Sequence, residues 1–381
     1  MATKRRTIRL SRGFCALASI LALGGVAGRG FAQSAPVANP AGWSAEAAAR
    51  YLDQREVWWQ SWDRTQKDRA TLCISCHTQA PYALARPVLR GALGEKDQTP
   101  EEKKMLASIT KRVQLWSGVQ PFYSDLISGP GKEVESRNAE AVLNAIILSG
   151  YEQGADHLSP LAWLAFDHAW ALQTQTGPDA GGWVWQDFSY SPWEAKESAY
   201  HWAALMALAV GQAPGGYAKD PKIASSLALL TGYLRSHFAS QNLVNRTTLL
   251  WASSSLPGLM TDPERAALIS ALKHAQQPDG GWNLAELGGY SRLDLTAEDA
   301  RSDGYATGLV VLALERSPER SDAEGTIKKG LTWLRANQNL QKGAWPAWSV
   351  NKSRDPNSEI GQFMSDAATG YAVLALATAR P

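Results

Sequence analysis

Lys329-Gly330-Leu331-Thr332-Trp333-Leu334-Arg335-Ala336-Asn337-Gln338, followed four residues later by Gly343-Ala344-Trp345, is the stretch on which the reading of the whole chain turns. Its apolar residues recur at helical spacing and its helix ends near the Gln. A Gly-containing turn and a Trp follow. The pattern occurs twice more. One copy is Leu272-Lys273-His274-Ala275-Gln276-Gln277-Pro278-Asp279-Gly280-Gly281-Trp282; the other is Trp170-Ala171-Leu172-Gln173-Thr174-Gln175 with Gly181-Gly182-Trp183. After each copy comes a loop and then an apolar helix rich in small residues, at Ser198–Val210, Asp303–Leu314 and Ser365–Ala377. Ala and Gly throughout those helices let neighbours approach closely, so they read as an inner layer and the more polar helices as an outer one.

These segments resemble the QW repeat of squalene–hopene cyclases and the related prenyltransferase-type α/α toroids. In that family the Gln amide caps a helix end and the Trp stacks on it, a use that suits the unpaired backbone groups of helix termini. Degenerate copies fill the remaining chain: 221–239 with 244–257, 101–116 with 136–149, and Ala47–Trp62 with Cys73–Leu89, where Pro81 and Pro87 are expected to kink or shorten the helix. The expectation is all-α, an α6/α6 toroid over 45–381, with 337 residues in six pairs giving about 56 each.

The N-terminus is organised differently. Six basic residues and no acid precede Gln33, and Phe14 to Ala27 forms a 14-residue apolar run ahead of Gly30-Phe31-Ala32. This is the layout of an export signal and is short for a bilayer span. Residues 1–32 are read as a signal peptide and 33–44 as a linker. The protein is expected to be periplasmic by the general secretory route, with no integral membrane segment after cleavage. Without those six basic residues the formal charge of +2 becomes −4. A mildly acidic body without a basic run argues against a nucleic-acid partner.

Beyond Cys15, in the signal, the cysteines are Cys73 and Cys76, in Thr71-Leu72-Cys73-Ile74-Ser75-Cys76-His77. C-x-x-C-H is the attachment pattern of a c-type haem. On a helical turn i, i+3 and i+4 share one face, so two thiols and an imidazole would meet one porphyrin. A zinc site lacks a second Cys pair. A thioredoxin-like dithiol lacks its βαβ context, and a disulfide over so short a loop would be strained. The motif resembles that of c-type cytochromes, which implies one covalent haem c in the segment about 60–90, thioethers from Cys73 and Cys76, and His77 as proximal iron ligand.

The remaining site expectations follow from toroid register. His201 is the first candidate for the distal iron ligand, Met105 the alternative and Met364 the third, with an open sixth position also possible. Tyr200, His201, Arg246 and Asp303 are candidate pocket residues near the starts of inner helices. Cyclase chemistry is not expected, because the D-x-D-D motif is absent. The leading functional expectation is redox chemistry, as an electron relay to a periplasmic redox partner or as haem-dependent oxidation of a small organic substrate in the toroid cavity. The alternative is a non-redox toroid enzyme, a lyase or isomerase acting for example on polysaccharide, or a binding scaffold with a structural haem.

Overall fold

A computed structural model describes residues 42–124 and 129–379; the signal-peptide expectation for 1–32 lies outside them. Twelve of the helices form two concentric layers. The inner layer is α2 (Gln79–Leu93), α4 (Gly129–Tyr151), α6 (Ser198–Gln212), α8 (Leu243–Ser253), α11 (Gly304–Arg316) and α13 (Phe363–Ala377). Each packs on the next in that order, and α13 packs back on α2, so the ring closes. The outer layer is α1 (Ala45–Ser61), α3 (Pro100–Leu115), α5 (Pro160–Ala171), α7 (Ala224–His237), α9 (Asp262–His274) and α12 (Glu324–Ala336). A short helix, α10 (Leu284–Gly288), and a pair of two-residue antiparallel strands, β1 (Gln66–Lys67) and β2 (Thr71–Leu72), sit in connecting loops. The protein is an all-α toroid of six helical pairs.

Local chemistry starts the outer helices. Thr99 and Thr261 head capping boxes with Glu102 and Glu264, with Pro in the first turn. Ser44 and Ser159 cap α1 and α5 through their hydroxyls. The inner helices are buried nearly all round, as their composition requires. At Gly308 an added methyl would come within 2.6 Å of the Ala372 nitrogen, so only Gly lets α11 lie this close to α13.

The repeat turns out to be a circumferential stitch. The indole N–H groups of Trp183, Trp282 and Trp345 donate to carbonyls at the ends of the preceding outer helices, those of Ala169 (2.7 Å), Leu272 (2.8 Å) and Leu334 (2.7 Å). The Gln amides reach the other way. Gln173 donates to its own turn at Gly181 and to Ser226 in α7, both at 2.9 Å. Gln276 donates to Gly280 (2.8 Å) and to Thr326 in α12 (2.9 Å). Gln338 donates to Gly343 (2.9 Å) and to the Ser44 carbonyl (3.0 Å), and accepts from the Ser44 N–H (2.6 Å). This last link ties the final outer helix to the first. Gly343 has φ +90, and a Cβ there would lie 1.9 Å from the Ala47 carbonyl oxygen.

Three expectations change. Helix α2 begins at Gln79 rather than Cys73, and runs through Pro87 with Pro81 in its first turn. The segment Cys73 to Thr78 is irregular and then turned, and Cys73 is pinned from outside: its N–H donates to the Thr65 carbonyl (2.8 Å), and Trp59 Nε1 donates to its carbonyl (2.9 Å). Helix α4 starts earlier than residue 136, and α10 was not anticipated. Among the described residues no helix is long and apolar enough to cross a membrane.

Trp345 is wholly buried and closes the last stitch. Trp345→Ala is expected to lower unfolding stability by ~3–5 kcal/mol, the usual cost of removing a buried aromatic. Urea unfolding checks this; an unchanged midpoint would refute the stitch.

Candidate functional site at the mouth of the toroid

Five of the six segments that lead into inner helices are long: 62–78, 116–128, 172–197, 275–303 and 337–362. The connections at the other end are short. Function therefore has room at the end where inner helices begin. The long loops are laced to one another. Asn351 Nδ2 donates to the Ser191 carbonyl (3.1 Å), Lys352 Nζ to Tyr190 Oη (2.8 Å), and the Leu293 and Ser353 N–H groups to the Asn351 carbonyl and Asp294 (2.8 and 2.7 Å).

Beneath them lies an aromatic recess. Phe363 stacks on the His77 ring with centroids 3.7 Å apart, Trp59 meets it edge-on at 5.3 Å, and Trp193 stands at 5.6 Å. His77, Cys73 and Glu194 are each half-buried. The orientation of His77 comes from behind. Asp366, fully buried at the start of α13, accepts from Tyr51 Oη (2.7 Å), Arg55 Nε (2.8 Å) and Thr78 Oγ1 (2.7 Å). Since Thr78 gives its proton to Asp366, it accepts from His77 Nδ1 at 3.0 Å. This network assigns the Nδ1–H tautomer and leaves the Nε2 lone pair free. Burial, reinforced by Arg55 and Arg354, lowers the imidazole to about 3, so it stays neutral at ordinary pH. Burial raises the Cys73 thiol to about 12 and the Cys76 thiol well above its ordinary value; both are free thiols.

Glu194 is the titrating group of the recess. It follows Trp193 in the loop before α6, where its carbonyl accepts from both Phe188 and Tyr190 N–H groups (2.8 and 2.9 Å). Burial pushes its carboxyl up to about 7, with Lys132 pulling the other way. A carboxyl at that value both gives and takes protons near neutrality.

The register-based candidates separate. Tyr200 Oη donates to the Leu234 carbonyl (2.7 Å), facing α7 and not the recess. Arg246 donates to the carbonyls of Phe238 (3.1 Å) and Ala239, closing the turn after α7. Asp303 is the α11 cap, accepting from Ala306 and Leu284 N–H groups (2.8 and 2.6 Å). His201 lies inside the ring; its Nδ1 donates to Thr248 Oγ1 (3.0 Å), and Tyr371 Oη stands 3.4 Å from Nε2. Burial lowers it to about 4. The ring contacts lead from it to His77 only by way of Tyr371, Tyr305 and Trp193. Met105 is buried on the outer helix α3, and Met364 on α13. Glu194, Trp193, Phe363 and Arg354 escaped the sequence reading. Their one available signal was position, since the residues between each repeat Trp and its inner helix all belong to the mouth.

No family model and no curated protein matches the chain. Solved structures do. The unsaturated glucuronyl hydrolase responsible for glycosaminoglycan degradation from Bacillus sp. GL1 is 9% identical, with a TM-score of 0.51, covering 87% of this chain and 94% of that one. A polysaccharide lyase is 12% identical with a TM-score of 0.48, covering 87% and 96%. An unsaturated glucuronyl hydrolase from Streptococcus agalactiae is 11% identical with a TM-score of 0.47, covering 87% and 92%. At 9% identity the likeness to the Bacillus hydrolase bears on the fold alone, an α/α toroid.

The expectation of one covalent haem c at Cys73, Cys76 and His77, and with it the electron-relay or haem-oxidation reading, is corrected. A shared face for both thiols and the imidazole needs a helical turn there; the segment is irregular and then turned, the helix starts only at Gln79, and Phe363 covers a face of the His77 ring. The Bacillus structure that shares the fold is named as a glucuronyl hydrolase and not as a haem protein. No group of three or more His, Cys, Asp or Glu among the described residues is placed to hold a metal ion.

The buried ionisable groups give a pH signature. Glu56, held by Gln60 Nε2 (2.7 Å) and Gln79 Nε2 (2.6 Å), is raised by burial to about 8; Glu194 and Asp303 are raised to about 7. A raised carboxyl stabilises the fold below its unfolded value and loses that contribution as pH climbs through its folded value. The lowered histidines act oppositely, gaining up to 6.5 and no further. Melting temperature is therefore expected to fall between pH 6.5 and about 8. Glu56→Gln should flatten that fall in a thermal-melt series; an unaltered slope would show Glu56 to be ionised throughout.

Proposed function

We propose that this chain is a non-redox α/α-toroid enzyme acting on a carbohydrate held in the mouth recess, by proton transfer at Glu194. The observation that carries the reading is a half-buried carboxyl brought to about 7 by burial, next in the chain to Trp193, which with Trp59 and Phe363 surrounds the His77 ring. Aromatic faces of this kind take the apolar side of a sugar ring and exclude water around it. Glu194 would deliver a proton to, or remove one from, the reacting carbon or oxygen. His77, neutral and aimed by Thr78 and Asp366, would accept a substrate hydroxyl at Nε2 and fix its orientation. The buried Arg55–Asp366 pair holds that alignment, with Glu359 on the far side of the guanidinium.

The Bacillus hydrolase carries the same fold, which makes unsaturated glucuronyl oligosaccharides the first class to assay. The QW-type repeat belongs to the scaffold in this reading, and an exported location would place the protein with extracellular polysaccharide or its breakdown products.

The test is a panel of such oligosaccharides, followed by loss of the conjugated enuronide absorbance and by product analysis. Turnover should show a pH limb near 7. Glu194→Gln should lower kcat by roughly 10²–10⁴-fold with folding intact. Wild-type rates in that variant would refute the assignment.

A further inference from the structure

A pocket of about 470 Å³ opens at the end of the toroid opposite the mouth, where α8 and α11 finish. Its walls carry three cations and no acid. Arg265 comes from α9, Arg316 is the last residue of α11, and Arg320 belongs to the turn that follows. The rest of the lining is serine, proline, glycine and methionine.

Three acids match the three cations in number but stand outside the pocket wall. Glu319 accepts from Arg265 Nε at 2.7 Å, and Asp262 takes Arg265 Nη2. Buried Glu315 accepts from Arg320 Nε at 2.8 Å. The Asp262 side chain is 89% exposed, so water and salt screen its charge. A guanidinium has five N–H donors and keeps its charge at any ordinary pH. Arg265 spends Nε, Nη1 and Nη2 on Glu319, the Met260 carbonyl (2.9 Å) and Asp262, which fixes its pose. Arg320 spends Nε alone, and both its Nη groups are free of partners among the described residues. Arg316 makes no hydrogen bond or ion pair among them.

The ends of α8 and α11 would repel an anion if their last carbonyls were bare. They are covered. Ser253 and Ser254 hydroxyls donate to the Leu250 and Trp251 carbonyls, both at 2.7 Å. The Ser317 N–H donates to Ala313 and Leu314 (3.0 and 3.2 Å).

We infer that this pocket is a binding site for a tetrahedral oxyanion, a phosphate or sulfate group, with Arg316 and Arg320 as its main donors and Arg265 as a fixed third charge. Cations from an outer helix, the end of an inner helix and the turn after it approach from different directions. A group with three or four charged oxygens meets all of them, whereas a planar carboxylate offers two. The site lies at the far end from the His77 recess and does not depend on the carbohydrate reading.

The experiment titrates the full chain with inorganic phosphate, followed by phosphorus NMR, and with inorganic sulfate, followed by calorimetry. Chloride holds the ionic strength constant. One saturable site is expected. Arg316→Gln should weaken binding roughly tenfold or more, the loss of one charge-assisted hydrogen bond. Its melting temperature without either anion should be unchanged, since no partner is lost. Arg316→Lys should recover part of the affinity, keeping charge without the planar fork. Arg50→Gln removes an exposed charge from α1, on a different helical pair, and should bind as wild type does. Saturation by phosphate alone supports the site and marks its natural ligand as phosphorylated; saturation by sulfate alone supports it and marks a sulfate ester. Saturation by neither anion would overturn the inference. So would acetate binding as tightly at the same ionic strength, or an equal loss of affinity in Arg50→Gln and Arg316→Gln.

Discussion

A buried glutamine amide that joins the end of one outer helix to the start of the next is the interaction on which the rest of this molecule depends. An isolated helical pair cannot bury its apolar inner helix; only a closed ring does so for all six. Gln173, Gln276 and Gln338 supply the circumferential links, and each is backed by an indole N–H that satisfies a carbonyl at the helix end just left. Gln338 differs in consequence though not in chemistry, because its partner is Ser44 and the bond completes the circle. The desolvation penalty of an unpaired amide N–H weighs most on Gln173 and Gln338, which are buried, and less on the half-buried Gln276.

Closure brings the first pair against the last, and the candidate site grows from that seam. Asp366 on α13 collects Tyr51 and Arg55 from α1 and Thr78 from the start of α2. Such a buried charge is tolerated only because three donors surround it. Its further effect is to hold His77 through Thr78 in one tautomer. The seam thus supplies one wall of the recess with a fixed acceptor, while the loop before α6 brings Glu194 and Trp193 from halfway round the ring.

The toroid was legible because its signal is periodic and local. Gln, Gly and Trp at fixed offsets, followed by an Ala-rich helix, describe an element and its cap within some forty residues, and the three copies locate the layers. The haem reading failed on a different kind of inference. It took the spacing of Cys73, Cys76 and His77 to imply a helical turn, but the Cys73 N–H donates to the Thr65 carbonyl and its carbonyl accepts from Trp59, which keeps Cys73 out of a helix. Register likewise placed Tyr200, Asp303 and Arg246 at the right end of the ring. It could not say which way each side chain turns, and all three turn to backbone groups.

The amino-acid sequence by itself determined the helical pairs, their inner and outer roles and the closure of six of them, since hydrophobic periodicity and capping act over a few residues and survive any later packing. Tertiary structure alone decided the site. The approach of Trp193 to the His77 ring and the burial that brings the Glu194 carboxyl to about 7 both depend on loops separated by more than a hundred residues. Desolvation and pairing are properties of the space around a group, and that space exists only once the ring has closed.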